Sequence, residues 1–399
     1  MHNKFYRKIL KNGMTLIFEE RDLPVVSIGI AVRCGGVNES LSERGISHFV
    51  EHMLYKGTKN RTSKQISQEI EKNGGVMNGF TDEQITAFWW KMPSDKLHIA
   101  LDVLSDMVKN PLFNEEEMEK ERKVIFEEME IYHDDPSHYV FDKIQGFLYE
   151  NPLGTPLIGT RESMGSIDRK KMLKKFMEVY KTGNMILCVV GQADFAELVK
   201  FAEKNFKKEK GKIKKQKIAL KHNYQIETRK GIDRANMVLA FHSPLSTNKQ
   251  IYAAKVLIAI MACGMSSRLF REIRDKRNLA YSVLGDVTSN KEFSFSYVYV
   301  GAMKENLEKI KNIILDEFKK VSKKLAKKEF DDTKNQLIGN YYISMESSED
   351  QMNHLLLSEI DGKTKEFYEF EKNIMAVKLE DVKKLANIKK YSFFALVPE

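Results

Sequence analysis

Cysteine is scarce. Cys34, Cys188 and Cys263 are the only three in 399 residues, and they are scattered. That excludes a disulfide framework and a thiolate metal cluster, and it favours a reducing cytoplasm. Long apolar runs are missing as well. The first stretch, "MHNKFYRKILKNGMTLIFEERD", is interrupted by charge throughout and has neither the h-region nor the cleavage pattern of a signal peptide. No later segment has the length of a membrane-spanning helix, so no membrane partner is expected. Aromatic residues interleaved with arginine are lacking too, which matters because the net charge is +9. The basic runs "FKKEKGKIKKQK" (206–217) and "FKKVSKKLAKKEF" (318–330) look like a solvated linker and a helix face. Neither resembles a base-stacking groove, so nucleic acid is not an expected partner.

What is present describes a globular protein, 42% hydrophobic and 30% charged, too long for one comfortable core. Read along the chain, the elements come in two similar series. "MTLIFEE" and "VVSIGIAVRCG" read as strands, followed by a helix after Gly45. "TSKQISQEIEKNGG" (62–75) is a capped helix ended by Gly74-Gly75. Residues 76–92 are strand-like, 95–110 and 114–135 are amphipathic helices, and 185–192 is a buried strand. The second series has strands at 234–244 and 293–303, and a helix running into a strand over 266–283. A buried helix at 251–264, paired helices at 305–324 and 327–345, and a last strand "FFALVPE" complete it. "EMEKERKVIFEEM" (117–129) lies without a gap over "EFDDTKNQLIGNY" (329–341). Met118, Ile125 and Phe126 match Phe330, Leu337 and Ile338, whereas Glu121 falls on Thr333 and Glu128 on Asn340. This is the pattern of a duplicated domain in which only the first copy carries a carboxylate site. The expected division is 1–205, a basic linker over 206–222, and 223–399.

The chain has nine histidines, and "GISHFVEHMLYKGT" (45–58) places two of them four apart. On a helix, His48 and His52 point the same way, and Glu51 shares their face. Two imidazoles so placed can span one Zn2+ at about 2.0–2.1 Å each. A carboxylate beside them can take a proton from a water, the zincin pattern H-E-x-x-H written in reverse. The plain alternative is an amphipathic helix with two exposed histidines. A hydrolytic zinc needs a third protein ligand, and the acidic helix 114–135 offers many. Glu121 and Glu128 are two turns apart on a face that also carries Val124 and Ile125, and a buried carboxylate needs a partner.

These residues resemble the inverzincins, the family of pitrilysin, insulin-degrading enzyme and mitochondrial processing peptidase. In that family the third ligand is a glutamate about 75 residues beyond the second histidine. The resemblance therefore implies His48, His52 and Glu128 as ligands of one Zn2+ per chain, Glu51 as general base, and Glu121 as a supporting glutamate. Glu127 would point elsewhere on the helix. "GGVMNGFTDEQITAFW" is similar to the family's substrate strand, with Asn78, Gly79, Phe80 and Thr81 at the matching positions. There an extended peptide would add to a sheet edge, and a small Gly79 would let its backbone come close. "NPLGTPLIGTRE" (151–162) also looks like the family. "RLFREIRDKRNLAYSV" resembles its Arg/Tyr element, which implies that Arg274 and Tyr281 donate to the oxyanion.

The implied fold is α+β: two homologous domains, each a mainly antiparallel sheet with helices packed on one face. The implied activity is zinc-dependent hydrolysis of unfolded peptides in a chamber between two paired chains. Both parts of the site lie in this chain, and the family's long glycine-rich noncatalytic loop is missing, so a homodimer is expected. Two other readings stand beside it: a dedicated leader-peptide processing protease, and an inactive scaffold that keeps the fold. The duplication makes a direct prediction. Asn340→Ala should leave zinc content unchanged by atomic absorption, because the second copy has no ligand there; loss of zinc would contradict the alignment.

Overall fold

The computed structural model describes residues 4–399, which fall into two compact units. Unit 1 comprises the chain up to Met129, Thr155–Lys217 and Ser344–Phe367. Its sheet has six strands: β1 (Phe5–Ile9), β2 (Thr15–Glu20), β3 (Val25–Val32), β4 (Val76–Thr81), β5 (Thr86–Pro93) and β6 (Met185–Gly191), in the order β1-β2-β6-β3-β5-β4. All pairs are antiparallel except β2 with β6. The stretch 76–92, expected as one strand, is two. Asp82 N–H bonds the Ile85 carbonyl at 2.8 Å and closes a hairpin, which leaves β4 at the sheet edge. Helices α1 (Ile46–Leu54), α2 (Ser63–Glu71), α3 (Leu97–Lys109) and α4 (Glu115–Asp134) follow their expected spans to within a few residues. The sequence reading did not separate out α5 (Pro136–Leu148), α6 (Arg161–Gly165), α7 (Arg169–Val179) or α8 (Phe195–Asn205).

Unit 2 comprises Glu130–Gly154, Ile218–Ile343 and Tyr368–Glu399. Its strands β7 (Tyr224–Arg229), β8 (Ala235–His242), β9 (Ala280–Ser289), β10 (Ser294–Ala302) and β11 (Ser392–Pro398) run in the order β7-β11-β8-β10-β9. Here β7 with β11 is the parallel pair. Laid over β2-β6-β3-β5-β4, the five strands match in order and in every strand direction. Two homologous halves are therefore written in the topology as well as in the helix alignment. Helices α9 (Ile251–Ala262), α10 (Leu307–Lys323) and α11 (Lys327–Ser344) belong to this half, followed by α12 (Ser348–Ile360).

The compact units do not coincide with the contiguous spans 1–205 and 223–399. Each sheet is covered on one face by a helix from the other half of the sequence, and the exchange is reciprocal. In unit 1, α12 lies on β3 and β6. Ser27 and Ser348 hydroxyls meet at 2.9 Å, and Gly29 leaves room for Met352 and Leu356, which a Cβ would approach to 3.1 and 3.2 Å. In unit 2, α5 lies on β8 and β11, with Phe147 edge-on to Phe394 and the Tyr149 hydroxyl donating to the Ser294 carbonyl. The other face of each sheet takes helices of its own half, because strand residues alternate sides. In unit 2, Phe393, Ala395 and Val298 face α9 and α10 while Phe394 faces α5. The basic segment 206–217 falls in unit 1, where Gly183 N–H bonds the Glu209 carbonyl and Lys212 N–H bonds the Glu178 carbonyl. Among the described residues no helix is long and apolar enough to cross a membrane.

One ion cluster anchors α12. The buried Glu359 carboxylate accepts two bonds from Arg7 (2.6 and 2.7 Å), one from Arg33 (2.7 Å) and one from the Thr364 hydroxyl. Burial would raise this carboxyl, but the donors Arg7, Thr364 and Arg33 more than reverse that and hold it at about 2. Glu359→Gln should lower stability by about 3 kcal/mol at pH 7, as removal of one partner from a buried pair does. A depressed carboxyl stabilises fully above its ordinary value of 4.5 and loses that contribution as pH falls toward about 2. The difference between wild type and variant, read from urea midpoints, should therefore be constant from pH 7 to 5 and narrow below; a difference independent of pH would exclude this role.

Candidate metal centre

Helix α1 begins at Gly45, which adopts φ 95°, a left-handed conformation that suits glycine. Its first N–H groups are met by a buried carboxylate. Glu39 accepts from Gly45 N–H at 2.9 Å and from Ser47 N–H at 2.7 Å. Burial raises the Glu39 carboxyl, opposed by Arg44 and Lys175. Arg44, itself fully buried, bonds both oxygens of Glu83 (3.0 and 2.6 Å) and the Thr155 carbonyl. Ile46, Phe49, Val50, Met53 and Leu54 are buried, so packing sets the rotation of the helix and turns His48, Glu51 and His52 to the opposite face.

That face meets α4. His48 Nε2 lies 3.7 Å and His52 Nε2 3.6 Å from Glu128 Oε2. The two rings stand edge to face, with centroids 4.6 Å apart. One donor atom from each of the three side chains lies within 4.8 Å of the others, and among the described residues they form the one group of three or more with that property. A tetrahedral ion with bonds of 2.0–2.1 Å would hold its ligand atoms about 3.3–3.4 Å apart, so the set fits zinc with little adjustment. Three donors leave a fourth position for water or substrate. Burial and the neighbouring His52, opposed by Glu128, push His48 down to about 4, so its imidazole is neutral at pH 7, the form that binds a metal. Glu127, the neighbour set aside in the sequence, is exposed. Val124 is also exposed, not part of a buried stripe; Met118, Glu121 and Ile125 form the buried side of α4.

Glu121 stands one layer back. Its Oε2 lies 3.1 Å from His52 Nδ1 and its Oε1 2.5 Å from Lys56 Nζ. A carboxylate on Nδ1 fixes that nitrogen as the donor and leaves Nε2 free for a metal. Glu51 does not join the three. Its Oε2 accepts from the Thr81 hydroxyl at 2.8 Å, and burial raises its carboxyl.

The four strand residues divide by side. Thr81 and Gly79 face α1, while Asn78 and Phe80 alternate to the other face. Asn78 is exposed, its side chain accepting from Gly79 N–H. The space beside Gly79 is bordered by the Tyr55 hydroxyl, which an added Cβ would approach to 2.6 Å. Arg274 and Tyr281 belong to unit 2. Arg274 lies in a π-helical turn, Phe270–Asp275, with its guanidinium 4.9 Å from the Phe270 ring centroid. Tyr281 is 43% exposed near the start of β9, and the Arg234 guanidinium sits 4.5 Å from its ring centroid. Glu39, Tyr55 and Lys56 escaped the sequence reading. For the last two the signal was available: Tyr55 follows Glu51 by four residues and Lys56 follows His52 by four, each one helical turn.

An α+β fold of two similar sheets with one carboxylate–histidine set among the described residues defines the class, and comparison with known proteins identifies it. Residues 16–161 match the family model described as Insulinase (Peptidase family M16), and residues 166–337 match Peptidase M16 inactive domain. A Rickettsia felis protein named as an uncharacterized zinc protease is 31% identical over 352 residues, 87% of this chain and 85% of that one. The Bacillus subtilis uncharacterized zinc protease YmxG is 30% identical over 390 residues, 95% of this chain and 94% of that one. A crystal structure of a protease from Helicobacter pylori shares the fold, with a TM-score of 0.91 at 21% identity over 99% of this chain and 100% of that one. The chain belongs to peptidase family M16.

The geometry around His52 generates a prediction. Glu121→Gln should weaken zinc binding about 10–100-fold in chelator competition, as loss of a carboxylate behind a ligating histidine does. Glu127→Gln should leave it unchanged. Equal affinity in wild type and Glu121→Gln would remove Glu121 from the centre.

Proposed function

We propose that the chain is a zinc endopeptidase that hydrolyses extended, unfolded peptides. One observation carries the reading: His48, His52 and Glu128 converge, while Glu51 beside them is tethered to Thr81 on the sheet's edge strand. Ligand set, base and peptide-accepting edge are thereby joined within a few side chains. The names of the similar proteins support it. Zinc, when bound, supplies an acidified water and polarises the scissile carbonyl.

The remaining work falls to the chain. Glu51 takes the proton of the attacking water and hands it to the leaving amine, so the scissile C–N bond breaks to give a carboxylate and a free amine. The raised carboxyl of Glu51 suits both directions of transfer. β4 is the last strand of its sheet, so one row of its N–H and C=O groups can bond a peptide backbone added alongside. In this reading Arg274 and Tyr281 donate to the developing oxyanion. Pairing of two copies about a chamber, and residence in the cytoplasm, rest on the family resemblance and the composition.

The test is digestion of a mixed pool of unstructured peptides, read by mass spectrometry, with and without a zinc chelator. Cleavage should occur and should stop on chelation. Glu51→Gln should keep its zinc and lose activity by a factor of about 10²–10⁴, the usual contribution of a general base. Turnover retained in that variant would refute the role of Glu51.

A further inference from the structure

Tyr55 ends α1, one turn after Glu51. Its hydroxyl is buried and has no hydrogen-bond partner. An unpaired buried hydroxyl costs about 1–3 kcal/mol. Phenylalanine would fill the same space, against Phe88 at 5.9 Å between ring centroids, without that cost. The hydroxyl therefore asks for a reason that packing does not provide.

Gly79 locates the reason. A Cβ on Gly79 would lie 2.6 Å from the Tyr55 hydroxyl, 3.1 Å from the Ala87 carbonyl and 3.2 Å from Glu51 Oε1. Phenol and carboxylate oxygen thus border one small space above the edge strand, kept open because residue 79 has no side chain. Glu51 Oε2 is already held by Thr81, two residues along the same strand. Burial and the charge of Glu51 both keep the phenol protonated, so it can only offer a proton to that carboxylate.

We propose that Tyr55 is a positioning residue for Glu51: in the zinc-loaded protein its hydroxyl, unpaired in this structure, turns across the space beside Gly79 to donate to Oε1 while Thr81 donates to Oε2. Each carboxylate oxygen then has one fixed donor, and the carboxylate plane is set relative to β4. Oε1 keeps a second lone pair for the proton it takes from water. Gly79 is glycine because this pair needs the space, not only because a peptide must approach. The catalytic consequence rests on the peptidase reading; the contact itself does not.

Two measurements test it. Tyr55→Phe should keep its zinc and its KM and lose about tenfold in kcat, the loss expected for one hydrogen bond to a charged acceptor. Gly79→Ala should be damaging in the wild-type background and much less so beside Tyr55→Phe, which removes the atom its Cβ would strike. Independently of activity, zinc-loaded protein carrying 13Cζ-tyrosine should show one resonance that disappears in Tyr55→Phe and shifts in Glu51→Ala. An unchanged kcat in Tyr55→Phe, or a Tyr55 resonance indifferent to Glu51→Ala, would overturn the proposal. A wild type that cleaves no peptide while the resonance responds would refute the peptidase reading and leave the contact standing.

Discussion

The candidate centre depends on a carboxylate that takes no part in it. Glu39 is buried and bonds two N–H groups at the start of α1. Those groups are orphaned by helix geometry and carry the positive end of its dipole, so an anion there both satisfies and orients the helix. His48, Glu51, His52 and Tyr55 all project from the helix so anchored. Arg44 makes the anchor rigid. It joins the loop before α1 to Glu83 in the turn of the β4–β5 hairpin and to the backbone at Thr155. Helix and edge strand are thus fixed to the same buried guanidinium, which keeps the Glu51–Thr81 bond in register.

The two copies differ in whether they carry the candidate metal donors. α4 and α11 keep the same buried side: Met118 and Phe330 are buried, and so are Glu121 and Thr333. At the metal-facing position Asn340 is exposed where Glu128 is partly buried. The second copy therefore preserves packing and has lost the donors, which agrees with the description of the model matching residues 166–337 as an inactive domain. The next helix of each copy, α5 or α12, packs on the sheet of the other. Excising either half at the duplication boundary would leave a sheet face open, since Gly29, Ser27 and Cys188 meet α12 in unit 1 as Tyr299 and Phe394 meet α5 in unit 2.

Much of the centre was legible because helical period is a local signal. The i, i+4 spacing of His48 and His52 and the two-turn spacing of Glu121 and Glu128 fix their faces without tertiary knowledge. The order of the two series gave the duplication, while the fold class and the choice of Glu128 came from the family resemblance. What remained hidden depends on contacts between distant segments. Nothing near Glu39 marks it as a cap for residues 45–47. The hairpin at 82–85 has no glycine at the turn, and the sequence reading passes over its one local signal, the polar Asp82-Glu83-Gln84 between strand formers. Val124 shares its turn with Ile125, yet one faces solvent and the other the core, a distinction that only the packing of α4 decides. The exchange of α5 and α12 has no sequence signature, because each is amphipathic whichever sheet receives it.

The two histidines of the centre are not equivalent, and this bears on how the site holds its shape. His52 is fixed from behind: Lys56 holds Glu121, and Glu121 holds Nδ1. A carboxylate oxygen against Nδ1 commits that nitrogen to donation and leaves Nε2 to face Glu128. His48 has no such support. Its Nδ1 is buried without a partner, so packing and the edge of the His52 ring orient it. The tether comes from Glu121 on α4, whereas the packed ring is held by neighbours of its own helix. A metal held there would thus have one histidine ligand fixed by a carboxylate and one held only by packing.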